Sequence, residues 1–157
     1  MMVLRIGDFR YEYAHELKVV FFTSIHENAK EFFDQNQLMA WAPENYELSA
    51  WYDRISRLRP FVAFVNETIA GYADLQMDGY IDHFYVRGGY AGRGVGTALM
   101  QRIIDTAGKK GCERLYSDVS LAAQSFFTKN GFEIMKRQVV EIRGNLLENA
   151  RMERILK

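Results

Sequence analysis

Large apolar residues recur with helical spacing in the first quarter of the chain, after a short strand-like segment at Val3–Phe9. From Leu17 to Phe33 the spacing predicts a helix with one buried face. The segment Gln35–Glu44 contains Trp41 and a proline, and we expect it to break this helix. A second helix is predicted over Glu44–Arg57.

Beyond Pro60 the pattern changes to strands, and then to strands that alternate with helices. Apolar runs separated by turn residues predict strands, and the period-3.6 segments predict helices. The predicted strands are Phe61–Val65, Ile69–Met77, Tyr80–Val86 and Arg114–Val119, followed by two strands that meet at Gly144-Asn145. Predicted helices are Gly94–Lys110 and a short one that Ser120 caps and that ends at Asn130, before Gly131. This order predicts an α+β domain with a central mixed β-sheet flanked by helices.

Length and composition narrow the class of protein. The 157 residues fit one domain, 1–157. Twenty basic residues balance twenty acidic ones, so nucleic acid is not an expected partner. No apolar run approaches the roughly 20 residues of a membrane span, so a membrane is not an expected partner. The single cysteine, Cys112, and the absence of a visible secretory signal favour a cytoplasmic location.

A glycine-rich turn carries the clearest chemical signal. The stretch Gly92-Arg93-Gly94-Val95-Gly96 lies between a predicted strand and a predicted helix. Backbone N–H groups exposed at a helix start suit phosphate groups, and glycines let the ligand approach them. The spacing matches neither the dinucleotide-binding pattern nor the Walker A loop. A tight turn without a ligand is the alternative interpretation.

The strand, turn and helix together resemble the acetyl-CoA-binding motif of the GNAT superfamily of N-acetyltransferases. Its signature, [QR]-x-x-G-x-[GA], maps onto Ala91–Gly96, and Ser120–Phe132 resembles the second cofactor motif of the family. The resemblance covers nearly all of the chain and implies a GNAT-like fold of order β-α-α-β-β-β-α-β-α-β-β. It also implies acetyl-CoA as co-substrate, contacted by Phe84, Tyr85, Val86, Ala91, Gly92, Arg93, Gly94, Val95, Gly96, Thr97, Ser120 and Phe127.

Three positions depart from the family pattern. Ala91 replaces the usual Gln or Arg, although contacts to the pyrophosphate in the family are largely made by the main chain. Gly88 replaces a common proline, which predicts a less rigid start of the loop. Phe127 stands where many members carry a tyrosine that protonates the departing thiolate, and phenylalanine has no proton to donate.

The strand Tyr80–Val86 holds the candidates for a catalytic base. Strand alternation places Tyr80, Asp82, Phe84 and Val86 on one face, and Ile81, His83 and Tyr85 on the other. Similar enzymes often place a base four or six residues before the valine that ends this strand. Asp82 is therefore the first candidate, directly or through water. His83 has the better intrinsic pKa, but it lies on the opposite face.

The resemblance says less about the acceptor. In similar enzymes the segment between the first two helices lines the acceptor groove, which here contains Gln37, Trp41 and Glu44. We expect Trp41 and Tyr80 to contact a small-molecule or peptide amine. No metal-binding pattern is present, and the resemblance also allows a homodimer. The other hypotheses are an acyl-CoA-binding module or sensor with little catalysis, and a nucleotide-binding protein that shares only the loop.

Overall fold

Eight strands and five α-helices follow one another in the structure, a computed structural model that describes residues 1–157. None of these helices combines the length and the hydropathy needed to cross a membrane. In chain order the elements are β1 (Leu4–Gly7), α1 (Ala14–Asn28), α2 (Gln35–Trp41), α3 (Leu48–Leu58), β2 (Phe61–Val65), β3 (Thr68–Ala73), β4 (Tyr80–Ile81), β5 (Phe84–Val86), α4 (Val95–Lys109), β6 (Arg114–Ser120), α5 (Gln124–Lys129), β7 (Glu133–Ile142) and β8 (Asn145–Ile155).

The strands form two four-stranded sheets. One has the order β1-β2-β3-β5 and is antiparallel throughout, and the other has the order β4-β6-β8-β7. In the second sheet β4 pairs with β6 in parallel, whereas the other pairs are antiparallel. The predicted α+β fold with mixed strand directions is confirmed, although the strands are shared between two sheets. One apolar cluster includes α1, α2 and α3, and a second includes α4 and α5.

The helical region before Pro60 differs from the sequence-based expectation. The first helix, α1, ends at Asn28, so Phe32 and Phe33 lie beyond it. The segment Gln35–Glu44, which was predicted to break the first helix, instead contains α2, and Asp34 caps the start of that helix. The Asp34 carboxylate accepts a hydrogen bond from the Gln37 backbone N–H, and the Gln37 side-chain oxygen accepts one from the Asp34 backbone N–H. This capping box offsets the missing backbone partners of a short helix.

The predicted strand Tyr80–Val86 is interrupted at Asp82 and His83. Both residues donate their backbone N–H groups to Oδ1 of Asp74, at 2.9 and 2.7 Å. β4 pairs with β6, whereas β5 pairs with β3 in the other sheet. The predicted alternation fails at this break, because Ile81 packs in the same apolar cluster as Phe84 instead of with His83.

The two helices that follow the glycine-rich turn begin differently. The predicted α4 is confirmed, and Gly71 lets it pack closely on β3. A Cβ on Gly71 would come within 3.0 Å of both the Tyr85 carbonyl oxygen and Val95 Cγ1. Ser120 does not cap α5, because it ends β6 and the helix starts only at Gln124. Gly131 follows the end of α5 with a φ of +87°, as predicted for a C-terminal glycine.

Candidate active site

A cavity of about 460 Å³ lies where the two sheets separate. Residues 84–86 of β5 wall one side and residues 117–120 of β6 wall the other, and neither strand pairs with the other. The glycine-rich turn and the first turn of α4 line one end. Residues from α1, α2, α5, β7 and β8 form most of the rest of the lining. The cavity therefore combines a turn that suits phosphate groups with a mainly apolar lining.

The glycine-rich turn exposes the N terminus of α4 to this cavity. Gly94 is the N-cap residue, and no side chain caps the helix. Gly92 and Gly94 have φ values of +78° and +85°, and a Cβ on either would meet nothing within 4 Å. Gly96 is constrained in another way, because a Cβ there would lie 3.1 Å from the Phe126 ring. The uncapped amides and the helix dipole make this end suitable for a phosphate group.

The start of the loop is held by α1 through two hydrogen bonds. The backbone N–H of Gly88 donates to Thr23 Oγ1 at 3.0 Å, and Asn28 Nδ2 donates to the Val86 carbonyl at 2.9 Å. A Cβ on Gly88 would lie 1.7 Å from Oε2 of Glu27, the end of an exposed and flexible side chain that can move aside. Proline at this position would lose the hydrogen bond to Thr23, because it has no backbone N–H. The predicted loss of rigidity at this glycine is offset by the two contacts with α1.

Asp82 lines the cavity beside the break between β4 and β5. Its side chain is 32% exposed, and Oδ2 accepts a hydrogen bond from Arg54 Nη2 at 3.3 Å. Oδ1 of Asp82 accepts no hydrogen bond from the protein. One carboxylate oxygen is thus held by Arg54, and the other is available to a bound molecule.

Asp74, which the sequence analysis did not single out, holds Asp82 in place. It is fully buried, and Oδ2 accepts a hydrogen bond from Gln76 in addition to the two backbone bonds at Oδ1. Burial raises the pKa of Asp74 to about 6, although these hydrogen bonds oppose the shift. An aspartate just after a buried strand was the only sequence signal, and it did not indicate a partner.

His83 points away from the cavity into the apolar cluster around α1. The residue is 4% exposed, and its ring stacks on Phe21. A hydrogen bond of 2.9 Å joins its Nδ1 atom to the Tyr72 hydroxyl. Burial, with a smaller effect from the nearby Arg54, lowers the pKa of His83 to about 3. His83 therefore does not line the cavity, although its ring packs edge-on against the lining residue Tyr85.

Phe127 lies in the core and also reaches the cavity wall. It is 2% exposed and packs edge-on against Phe84 and Phe132. Because a phenyl ring has no dissociable proton, the position cannot protonate a leaving thiolate. Its contacts are those of a core residue.

Aromatic and aliphatic side chains surround the other end of the cavity. Trp41 lines it and packs edge-on against Phe33 and Tyr85, with ring centroids 5.7 and 6.2 Å apart. Ile142 and Leu147, from the hairpin of β7 and β8, complete this wall. Sequence reasoning predicted these two strands but did not assign Ile142 or Leu147 to the site, because neither residue belongs to a motif.

Asn149 is a further lining residue that the sequence did not reveal. Its Oδ1 atom is buried and has no hydrogen-bond partner in the protein. A buried polar atom without a partner is costly, so this oxygen suits a donor on a bound molecule.

Most of the predicted site residues line this one cavity. The exceptions are His83, Tyr80 and Arg93. The Tyr80 hydroxyl lies 3.3 Å from Asp118 Oδ2, so this tyrosine supports a lining carboxylate. Arg93 is exposed on the loop, with its guanidinium 5.1 Å from the centre of the Tyr90 ring. The predicted lining residues are Trp41, Asp82, Phe84, Tyr85, Val86, Ala91, Gly92, Gly94, Val95, Gly96, Thr97, Ser120 and Phe127.

Comparison with known proteins agrees with this geometry. The sequence model of the acetyltransferase (GNAT) family matches residues 22–132. An uncharacterized N-acetyltransferase of Escherichia coli K12, YafP, is 30% identical over 143 residues, which cover 91% of this chain and 87% of that protein. A GCN5-related N-acetyltransferase from Rhodopseudomonas palustris superposes with a TM-score of 0.93 at 29% identity, covering 99% and 98% of the two chains.

The fold is also shared with more distant structures. PaiA N-acetyltransferase from Thermoplasma acidophilum, solved in complex with coenzyme A, has a TM-score of 0.77 at 18% identity, with 98% and 99% of the chains covered. The chain belongs to the GNAT family of acetyltransferases. Membership confirms the predictions of an enzyme and of acetyl-CoA as its co-substrate.

Proposed function

We propose that this enzyme transfers the acetyl group of acetyl-CoA directly to an amine, with Asp82 as the base. The observation that carries the proposal is the free Oδ1 atom of Asp82 on the wall of a cavity that also contains the glycine-rich turn. The uncapped amides of α4 would hold the pyrophosphate. The aromatic end of the cavity would hold the acceptor.

The reaction requires a neutral amine. Aliphatic amines have a pKa of about 10 and are protonated at neutral pH, so a positioned acceptor of the proton helps. The amine nitrogen bonds to the carbonyl carbon, the C–S bond breaks, and the sulfur leaves with the electron pair. Asp82, directly or through a water, receives the proton of the amine. Arg54 and the two backbone bonds to Asp74 keep the Asp82 segment in place during this transfer.

The departing thiolate needs no acid at position 127. A thiol has a pKa of about 8.5, so its anion is a tolerable leaving group near neutral pH. The buried Phe127 is consistent with departure without a dedicated donor at that position.

Replacement of Asp82 by asparagine tests the proposal. General-base assistance typically contributes 10²–10⁴-fold, so Asp82→Asn should lower kcat by at least about 30-fold. Acetyl-CoA affinity, measured by calorimetry, should be nearly unchanged. The ascending limb of the pH–rate profile should change in the variant. Asp53→Asn, which alters an exposed carboxylate on α3, is the matched control and should leave kcat unaffected.

Two results would contradict this assignment. Since His83 is buried away from the cavity, His83→Gln should cost less than about tenfold in kcat. If His83→Gln instead removes the ascending limb while Asp82→Asn retains full activity, the histidine is the base.

The second candidate function is acyl-CoA binding without efficient turnover. Only Phe127 favours it, because this residue removes the usual proton donor of the family. Tight acetyl-CoA binding without thiol release above the hydrolysis background, over a panel of amines, would support this alternative.

A further inference from the structure

The cavity wall contains negative charge and no positive charge. Of its lining residues, three are carboxylates, namely Asp82, Asp118 and Glu148. No lysine, arginine or histidine lines the cavity. Arg93 belongs to the glycine-rich turn, but its side chain is exposed and does not line the cavity.

The arginines behind the wall are already paired. Arg54 contacts Asp82 Oδ2 at 3.3 Å. Arg151 binds Asp118 through two hydrogen bonds, from Nε at 2.8 Å and from Nη2 at 3.1 Å. Glu148 has no ion-pair partner and is exposed. A bound carboxylate would therefore find no cation among the lining residues, and it would meet the unpaired charge of Glu148.

At the acceptor end, two hydrogen bonds link α2 to the β7–β8 hairpin. Gln37 Nε2 donates to the Leu146 carbonyl at 2.9 Å, and Arg143 Nη1 donates to the Ala40 carbonyl at 2.6 Å. These bonds flank Trp41 and tie its helix to the hairpin that carries Leu147. A compact acceptor fits this compartment better than an extended polypeptide does.

We propose that the acceptor is a small primary amine with an apolar body and no carboxylate group. This inference rests on the proposed function and names the class of acceptor for the same site. The apolar body would pack against Trp41, Phe33 and Leu147, and the cationic amine would approach Asp82. An amino acid would be rejected, because burying its carboxylate without a cation is unfavourable and like charges repel.

A series of three related acceptors tests the proposal: 2-phenylethylamine, phenylalaninamide and phenylalanine. The amide and the acid are nearly equal in size and differ in charge, whereas phenylethylamine lacks the substituent. With saturating acetyl-CoA and a free-thiol readout, we expect kcat/KM for phenylethylamine and for phenylalaninamide to exceed that for phenylalanine by at least about 30-fold. Phenylalanine turned over as well as its amide would overturn the inference.

A substitution at Glu148 tests the electrostatic cause. Glu148→Gln should reduce the preference for phenylalaninamide over phenylalanine by about threefold or more, because it removes the unpaired negative charge. Glu141→Gln, on an exposed position of β7 outside the cavity, is the matched control and should leave the preference unchanged. An unchanged preference in Glu148→Gln would contradict the role of that charge.

The remaining outcomes distinguish a failure of this inference from a failure of the proposed function. A peptide amide that begins with phenylalanine and is acetylated faster than phenylalaninamide would overturn the small-molecule class. Transfer to amino acids and amines alike would remove the inference and leave the acetyltransferase mechanism intact. Acetyl-CoA binding by calorimetry, without transfer to any amine, would overturn both.

Discussion

At the scale of single residues, two buried ionisable groups meet at the break between β4 and β5. The Asp74 carboxylate takes the N–H groups that a continuous strand would have offered to a neighbouring strand. Asp82 then faces the cavity and His83 enters the core. A single carboxylate thus holds the backbone at the point where these two adjacent polar side chains diverge. This arrangement requires burial of the Asp74 carboxylate, and burial raises its pKa to about 6.

The buried His83 predicts a pH dependence of stability. In the unfolded chain its pKa is about 6.5, whereas burial lowers it to about 3 in the fold. Between these values only the unfolded chain binds the proton, so the contribution of His83 is complete above about pH 6.5 and is lost as the pH falls. Asp74 acts in the opposite direction below about pH 6, because its folded pKa is raised.

Comparison of wild type with His83→Gln isolates the histidine. The free energy of unfolding of the wild type should fall relative to the variant by up to about 1.4 kcal/mol per pH unit below pH 6.5. Urea denaturation at several pH values from 7 to 5 measures this difference. His15→Gln, at an exposed position of α1, should follow the wild-type profile. Parallel profiles for wild type and His83→Gln would show that the histidine does not remain neutral in the fold.

At the scale of elements, the contact between α1 and the loop after β5 governs the cofactor end of the cavity. The Gly88 N–H bonds to Thr23 Oγ1, and Asn28 bonds to the last carbonyl of β5. We expect Gly88→Pro to destabilise the protein by roughly 1–2 kcal/mol, because proline removes the N–H group that donates to Thr23 Oγ1. Thermal or urea denaturation measures the loss.

A double-mutant cycle with Thr23→Val attributes the effect to this hydrogen bond. If the bond is the cause, Gly88→Pro should cost less in the Thr23→Val background than in the wild type. Gly108→Ala is a contrasting glycine replacement, because it lies within α4 with open space around it, and it should stabilise by about 0.5–1 kcal/mol. Equal costs for Gly88→Pro in both backgrounds would place the effect elsewhere.

At the scale of the whole molecule, the cavity is assembled from both sheets and from four helices. β5 and β6 do not pair, and α1, α2, α4 and α5 surround the space between them. A ligand in this space would contact both sheets at once. Its binding should therefore stabilise the entire fold by mass action.

Acetyl-CoA should raise the melting temperature of the wild type, with a stabilisation of about 2.7 kcal/mol at a concentration 100 times Kd. Gly94→Asp should weaken this effect, since it places a negative charge at the uncapped start of α4. Gly94→Asn is the matched neutral control, because asparagine has a similar shape and tolerates a positive φ. Equal affinities for the two variants would contradict phosphate binding at this turn. Calorimetry measures both.

Most of the order of elements and the glycine-rich turn were available from the sequence, because both depend on local spacing. Period-3.6 apolar residues predicted α4, and glycines between a strand and that helix predicted an anion site. The family resemblance then indicated the fold, the co-substrate and the enzyme class, which the comparisons confirm. Local patterns were less reliable near Asp34, where a capping box started a helix that apolar spacing did not reveal.

The tertiary structure alone decided which side chains meet. Strand alternation could not predict the break at Asp82, because its cause is Asp74, whose carboxylate reaches two amides eight and nine residues further along the chain. Asn149 joins the cavity through the pairing of β8 with the more distant β6, and Leu147 joins it through the β7–β8 hairpin. No motif marks either residue. The charge of the wall is likewise invisible in a sequence of zero net charge, since pairing withdraws Arg54 and Arg151 and leaves Glu148 unpaired. Long-range contacts of this kind depend on the packing of the whole chain.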